Sequence, residues 1–469
     1  MQLPPKIGTR VAVFKATALK GLGYANEFSI RHEKVLFWAL AVLYKFSLDI
    51  VYVWCAAPLE VLIRPYDPNF VKYVISCGLY LVLFAALPKQ EQDSIAFILH
   101  LQFAFTVAPM LTLYGLANGS SRYILMVSFC VLLEAYLIFR PLKTTGTVRI
   151  SGVQNYVTVA LGVLALFTAV VPILYNGFAG TKAFNLSYIY EMRANATYPA
   201  GFWYVMCWMT EAILPFGFLC FLHLKKYRWA VLLAAVQVLL YMETGHKVIL
   251  FILLPVTIIY YFAQTKHLAK LMYFGLAALL LVITFAYRLD CFQYSPGAPL
   301  LDCVGIIAGA LVAVRMLFIP AGIKFSYYEC FSTRPKLFFS DGQIGNMLGL
   351  TYPYKLSSGY IVNVFSTGSE LGACEANTGY LGEAYAQMGF AGMLLMSILF
   401  TLIFRSLRSY DRKESFALLT ALLSVYIILL NDGALFTILF TGGMLVTYFM
   451  IFIYYEQVSK GAGNGIQRL

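Results

Sequence analysis

Twelve apolar stretches divide the chain, at about 35–57, 71–87, 94–115, 122–139, 153–175, 200–224, 227–243, 246–263, 268–288, 380–404, 415–431 and 434–455, and most of the charge lies between them. Each approaches the roughly 20 residues that a helix needs to cross about 30 Å of hydrocarbon. Lipid offers a backbone no hydrogen-bond partners, so a spanning segment is either a helix or part of a closed barrel. Long unbroken apolar runs specify helices. The expected fold is all-α: a polytopic integral membrane protein with about twelve transmembrane helices. Of 469 residues, 61% are hydrophobic and 12% charged, against about 45–50% and about 25% in soluble proteins. That excludes a soluble globular enzyme.

The 34 Lys and Arg outnumber the 22 Asp and Glu, giving a net charge of +12. In a membrane protein such an excess collects in cytoplasmic loops and faces anionic headgroups, so membrane lipids are expected partners and nucleic acid is not. Counted from a cytoplasmic N-terminus, alternate loops hold 21 of the 34 basic residues inside and 12 outside, with Lys45 in the first run. Both termini are therefore expected in the cytoplasm. Residues 1–34 lack the compact apolar core and cleavage site of a signal peptide and read as a basic, membrane-skimming arm. The organisation expected is this arm, nine helices over 35–288, a long external segment over 289–379, three helices over 380–455 and a cytoplasmic tail, 456–469. The apolar run 303–319 would reverse that orientation if it crossed. It is read as a re-entrant or surface-lying helix within the external segment.

Five cysteines, Cys55, Cys77, Cys130, Cys207 and Cys220, fall in or at the edges of the runs, whereas Cys291, Cys303, Cys330 and Cys374 lie in the external segment. Two disulfides are possible there; pairing 291 with 303 and 330 with 374 closes the shorter loops, in keeping with an oxidising compartment. No zinc spacing, Walker loop or GxGxxG is present, so no metal or cofactor is expected.

Charged groups at membrane depth need a partner or a task. Lys45 and Asp49 stand i,i+4 on one helix face and read as a structural pair. Glu134 and Glu211 read as interior hydrogen-bonding groups. Glu243-Thr-Gly-His246-Lys247 opens into a run, where Gly245, a helix N-terminus and Lys247 suit a phosphate or diphosphate; interfacial snorkelling of Lys247 is the alternative. Tyr188, Tyr190 and Arg193 combine stacking surface with a forked cation. Arg315 interrupts an apolar helix before Pro320 and needs either Glu329 or a ligand phosphate as its partner. Tyr328 follows in an aromatic run. Glu370, Glu375, Asn377, Tyr380, Glu383 and Tyr385 gather at the start of the tenth run, where a carboxylate can serve as general base toward a sugar hydroxyl and Asn and Tyr can bind others.

Asn377-Thr-Gly-Tyr-Leu-Gly-Glu383-Ala-Tyr385-Ala-Gln-Met-Gly389-Phe-Ala-Gly392, preceded by Arg315-Met-Leu-Phe-Ile-Pro320 and Tyr327-Tyr328-Glu329-Cys-Phe331, resembles the bacterial Wzy-type oligosaccharide repeat-unit polymerases. Tyr190-Glu-Met-Arg193 and Thr244-Gly-His246-Lys247 are similar to pieces of that family's pattern in the same order. The likeness covers about 170–400. Val314-Arg315 stands where the family often has two arginines. The resemblance implies an inner-membrane glycosyltransferase of O-antigen assembly that acts on undecaprenyl-diphosphate-linked oligosaccharide, with a flippase, a chain-length regulator and a ligase as partners. Arg193, Lys247 and Arg315 would then hold the donor diphosphate, and Glu383 or Glu375 would take the acceptor's proton. An O-antigen ligase or a transporter of lipid-linked sugar are the other classes compatible with this reading.

Overall fold

The computed structural model describes residues 32–59, 64–139, 154–178, 180–184, 186–288, 310–342, 345, 347–370, 375–411 and 416–453. These are helical apart from turns, loops and one isolated bridge between Asp67 and Ala117. Helices occupy the apolar runs. Six are long and apolar enough to cross a membrane: His32–Ala56, Ser94–Leu116, Ser121–Ile138, Phe202–His223, Leu268–Ala286 and Tyr380–Leu407. Phe70–Ala86, Val163–Asn176, Val248–Ala263, Phe416–Leu430 and Met444–Ile453 are shorter apolar helices. Together they give the chain the character of a membrane protein.

Ser94–Leu116 is buried along its whole length, as an all-round apolar helix at the centre of a bundle must be. Peripheral helices turn Leu81, Val82, Phe129, Val231, Leu232 and Phe285 outward. So much exposed apolar surface fits a surround of lipid.

Among the described residues, four helices contain a widened, π-type stretch: Tyr52–Ala56, Phe103–Val107, Trp208–Ile213 and Ala310–Phe318. Each is followed two residues later by a proline, Pro58, Pro109, Pro215 and Pro320. Proline lacks an amide hydrogen and its ring crowds the carbonyl four residues back. The turn before it is thereby freed to bond i→i+5.

Charged loop residues meet at two opposite ends. At one, Lys270 pairs with Glu33 and Glu91 at 3.3 and 3.0 Å, and Arg408 with Asp93 at 3.3 Å. Ser94 N and Oγ donate to Asp411 at 2.6 and 2.9 Å. At the other, Arg64 pairs with Glu329, Asn118 Nδ2 donates to Asp67 at 3.0 Å, and Arg315 lies 3.6 Å from Asp432. These described contacts join loops of like parity in the alternation expected from the sequence. They are called below the Lys270 end and the Arg64 end.

Within the spans, Lys45 reaches Asp49 at 2.5 Å, and Asp49 also accepts from Thr112 at 2.8 Å and Tyr73 at 3.0 Å. The expected pair is therefore closed inside the bundle. The helix formed by Ala310–Phe318 and Ile319–Ser332 packs on the 103–116 half of the central helix. Its tip reaches the Arg64 end through Glu329. Residues 303–309 lie outside the described residues.

The tenth run departs from expectation. Tyr380–Leu407 is not one straight helix: Met388 has φ −140° and Gly389 has φ +64°, ψ −145°. Tyr380 stacks on Phe400 with ring centroids 5.4 Å apart. Twenty residues of straight helix would separate them by about 30 Å. The chain therefore doubles back: a short helix over 380–388 runs toward the Arg64 end, reverses at Gly389, and 390–407 returns. Gly392 fits beneath the turn because any Cβ there would strike the Ala384 carbonyl. The apolarity of 380–404 hid this reversal, since the first arm is buried in the bundle and the returning arm turns Leu395, Ile398 and Leu402 outward.

The cysteine expectation is also corrected in part. Cys330 is a buried free thiol that accepts from Arg334 Nη1 at 2.8 Å, so the 330–374 bridge is not formed. Cys291, Cys303 and Cys374 lie outside the described residues.

Candidate functional site

The short helix 380–388 begins deep in the bundle. Tyr380, which is buried, donates to Glu134 at 2.8 Å and is met by Gln102 Nε2 at 2.5 Å. Its hydroxyl is thus committed to the core, as is Glu134, and Tyr380 is not the outward-facing sugar ligand expected from the sequence. Beside this helix start, the fully buried Lys324 Nζ donates to Asn431 O at 2.6 Å, Asn431 Oδ1 at 2.9 Å and Pro320 O at 3.3 Å. Three ammonium donors find three acceptors, the condition for holding this charge away from water. Asn431 in turn donates to Met316 O at 2.8 Å and accepts from Thr106 at 3.0 Å. One node thus ties three elements together. Glycine at 379 permits it: a Cβ there would lie 2.7 Å from Lys324 Cε and 2.6 Å from Asn431 O.

Two turns onward, Gln387 Nε2 donates to Glu383 Oε1 at 2.5 Å and to Asp341 Oδ1 at 2.9 Å. Its own oxygen accepts from Phe339 N at 2.5 Å. An amide held from both sides fixes two carboxylates next to each other. Asp341 also accepts from Ser358 at 3.1 Å, and Glu375 accepts from Ser357. Glu375 and Asn377 are exposed, whereas Glu383 is half-buried.

An aromatic wall is built on another face of the same short helix through Tyr385, two residues beyond Glu383. Tyr123, Tyr328, Tyr385 and Phe390 succeed one another with centroids 4.9, 4.8 and 5.2 Å apart. Lys336 Nζ sits 3.8 Å over the Tyr385 ring and donates to Phe331 O at 2.6 Å. Burial pushes its ammonium down to about 8. Arg315 is half-exposed beside Asp432, while Glu329, considered as its partner from the sequence, engages Arg64 instead.

The second set of sequence candidates belongs to a separate apolar cluster built around Phe202, Met206, Leu240 and Ile249. His246 packs against Trp203 with centroids 4.6 Å apart. Gly245, with φ +66°, caps Tyr227–Thr244, and Lys247 opens the next helix as expected. The side chains of Lys247 and Tyr190 lie outside the described residues. Glu243 is buried and neither carboxylate oxygen has a hydrogen-bond partner among the described residues. The Arg193 charge is felt at His246, and Arg315 pairs with Asp432; no contact among the described residues joins the two sets.

Sequence reasoning overlooked Lys324, Asp341, Gln387 and Lys336. The rule that singled out Arg315, a charge in an apolar helix, applies equally to Lys324 nine residues on. The loop residues Asp341 and Lys336 carry no local signal. No family model, curated protein or solved structure matches the chain.

Proposed function

We propose that the protein polymerises polyprenyl-diphosphate-linked oligosaccharide units, as the resemblance to Wzy-type polymerases implies, at the Arg64 end of the bundle. In this reading the chain crosses a bacterial inner membrane twelve times, both termini are cytoplasmic and the Arg64 end faces the periplasm. The observation that carries it is the carboxylate pair Glu383 and Asp341, bridged by Gln387 on a re-entrant helix. A general base needs a fixed position and a neighbour that favours taking up a proton. Asp341 supplies that neighbour for Glu383, and this favours Glu383 over the exposed Glu375.

The acceptor hydroxyl gives its proton to Glu383 as its oxygen bonds the anomeric carbon. The bond from that carbon to the diphosphate breaks, and its electron pair leaves on the diphosphate oxygen. Arg315 and Lys336 meet that charge as preorganised cations, and Tyr328 and Tyr385 give the sugar faces a stacking wall. No metal or cofactor enters the scheme.

Complementation of a strain lacking the gene tests it. Glu383→Gln, present in the membrane at wild-type level, is expected to leave one capped repeat unit and no ladder on a polysaccharide gel. An unchanged ladder removes Glu383 from the reaction, and loss of even the single unit points to a ligase.

A further inference from the structure

At the Lys270 end, far from the carboxylate pair, the first turn of His32–Ala56 meets the turns before Ser94 and Leu268 around a cavity of about 350 Å³. Its acids are already committed. Lys270 Nζ stands between Glu33 and Glu91, 3.4 Å from His267 Nδ1, and so fills the place where those three groups would hold a metal ion. Asp93 caps Ser94–Gln102 through Ala96 N at 2.8 Å and pairs with Arg408.

Lys34, Lys89 and Lys266 line the same cavity and have no carboxylate partner among the described residues. Lys89 Nζ lies 4.6 Å over Trp38 and 5.6 Å over Phe84. Burial, followed by repulsion from Lys34, lowers its affinity for a proton. Two neighbouring ammonium groups, one of them partly dehydrated over aromatic rings, are poorly balanced by the protein itself.

We propose that this cavity is a binding site for a phosphate-bearing anion, held between Lys34 and Lys89 with Lys266 at its rim and Trp38 as an apolar wall. Phosphate oxygens accept from several ammonium donors at once, and lysine serves them as a point charge. Basic pockets between helix ends at a membrane surface suit the headgroups of anionic lipids; a soluble phosphate compound presents the same chemistry. The site is independent of the reaction proposed above.

The test uses the full chain purified in detergent. Phosphatidylglycerol, phosphatidylcholine and inorganic phosphate are each titrated while bound lipid is read by native mass spectrometry and stability by thermal unfolding. Lys34→Gln/Lys89→Gln is compared with Lys225→Gln/Lys226→Gln, an exposed pair outside the cavity. Wild type and the control are expected to bind phosphatidylglycerol about tenfold or more tightly than the Lys34/Lys89 variant, and phosphatidylcholine equally weakly. Stabilisation by inorganic phosphate alone that is lost in that variant assigns the site to a soluble ligand. The proposal is overturned if neither probe separates the Lys34/Lys89 variant from wild type, or if the control loses as much. Because the variant relieves a repulsion, its stability without additives, read in the same melt, should not fall.

Discussion

Tyr380 and Phe400 lie ring on ring, 5.4 Å apart and within 11° of parallel. This contact defines the hairpin in the C-terminal third of the chain. Cysteines at both positions, in a background with the native cysteines replaced, are expected to be joined by a short bismaleimide, giving a linked peptide on digestion. A straight span cannot give that product, so its absence from folded protein would remove the hairpin.

The reversal rests on Gly389, whose φ of +64° and ψ of −145° suit glycine alone. Gly389→Ala is expected to cost about 1–3 kcal/mol in unfolding measured in detergent. Gly275, inside Leu268–Arg288 with nothing within 4 Å of an added Cβ, is the comparison. Alanine there is expected to be neutral or stabilising by up to about 1 kcal/mol.

Lys336 titrates near 8 rather than 10.5 because it is partly buried. A depressed amine is charged only below that pH, so a reaction that uses its charge should fall as pH rises through about 8. Stability runs the other way: the folded state disfavours the proton, and stability is lost as pH falls from 10.5 through 8. Initial rates of polymer formation across pH 6–10 should show the alkaline fall in wild type. Lys336→Arg, which stays charged, should move it upward, and an identical profile would take Lys336 out of the reaction.

The two ends can be told apart from outside the cell. A cysteine at Asn118 is expected to react with an impermeant maleimide in intact spheroplasts, and one at Lys225 only after permeabilisation. Labelling of both before permeabilisation would contradict the alternating arrangement.

Much of the fold was legible because hydrophobic length is a strong signal: helices occupy the apolar runs, and the Lys45–Asp49 pair closes as its spacing implies. The four prolines marked the widened turns, although that consequence is visible only once the helices are built. Residues 380–404 were misleading because apolarity reports enclosure, not direction, and the pair Gly389 and Gly392 was the available warning. Around the candidate site, Tyr328 and Tyr385 are brought together and Glu383 is held beside Asp341 through Gln387, whereas Tyr380 is spent on Glu134. Glu383 is held by Gln387, a local i,i+4 partner, but the Asp341 and Phe339 contacts that fix Gln387 come from a loop more than forty residues away, a relation no local pattern encodes.

A helix that starts inside the bundle aims its first amide hydrogens at the point where it begins. Gly379 has no side chain to receive them, and the buried hydroxyl of Thr378 next to it has no partner among the described residues. Unmet polar groups at that depth are costly, so the start of this helix is held by close packing against the Lys324–Asn431 node rather than by a side-chain cap.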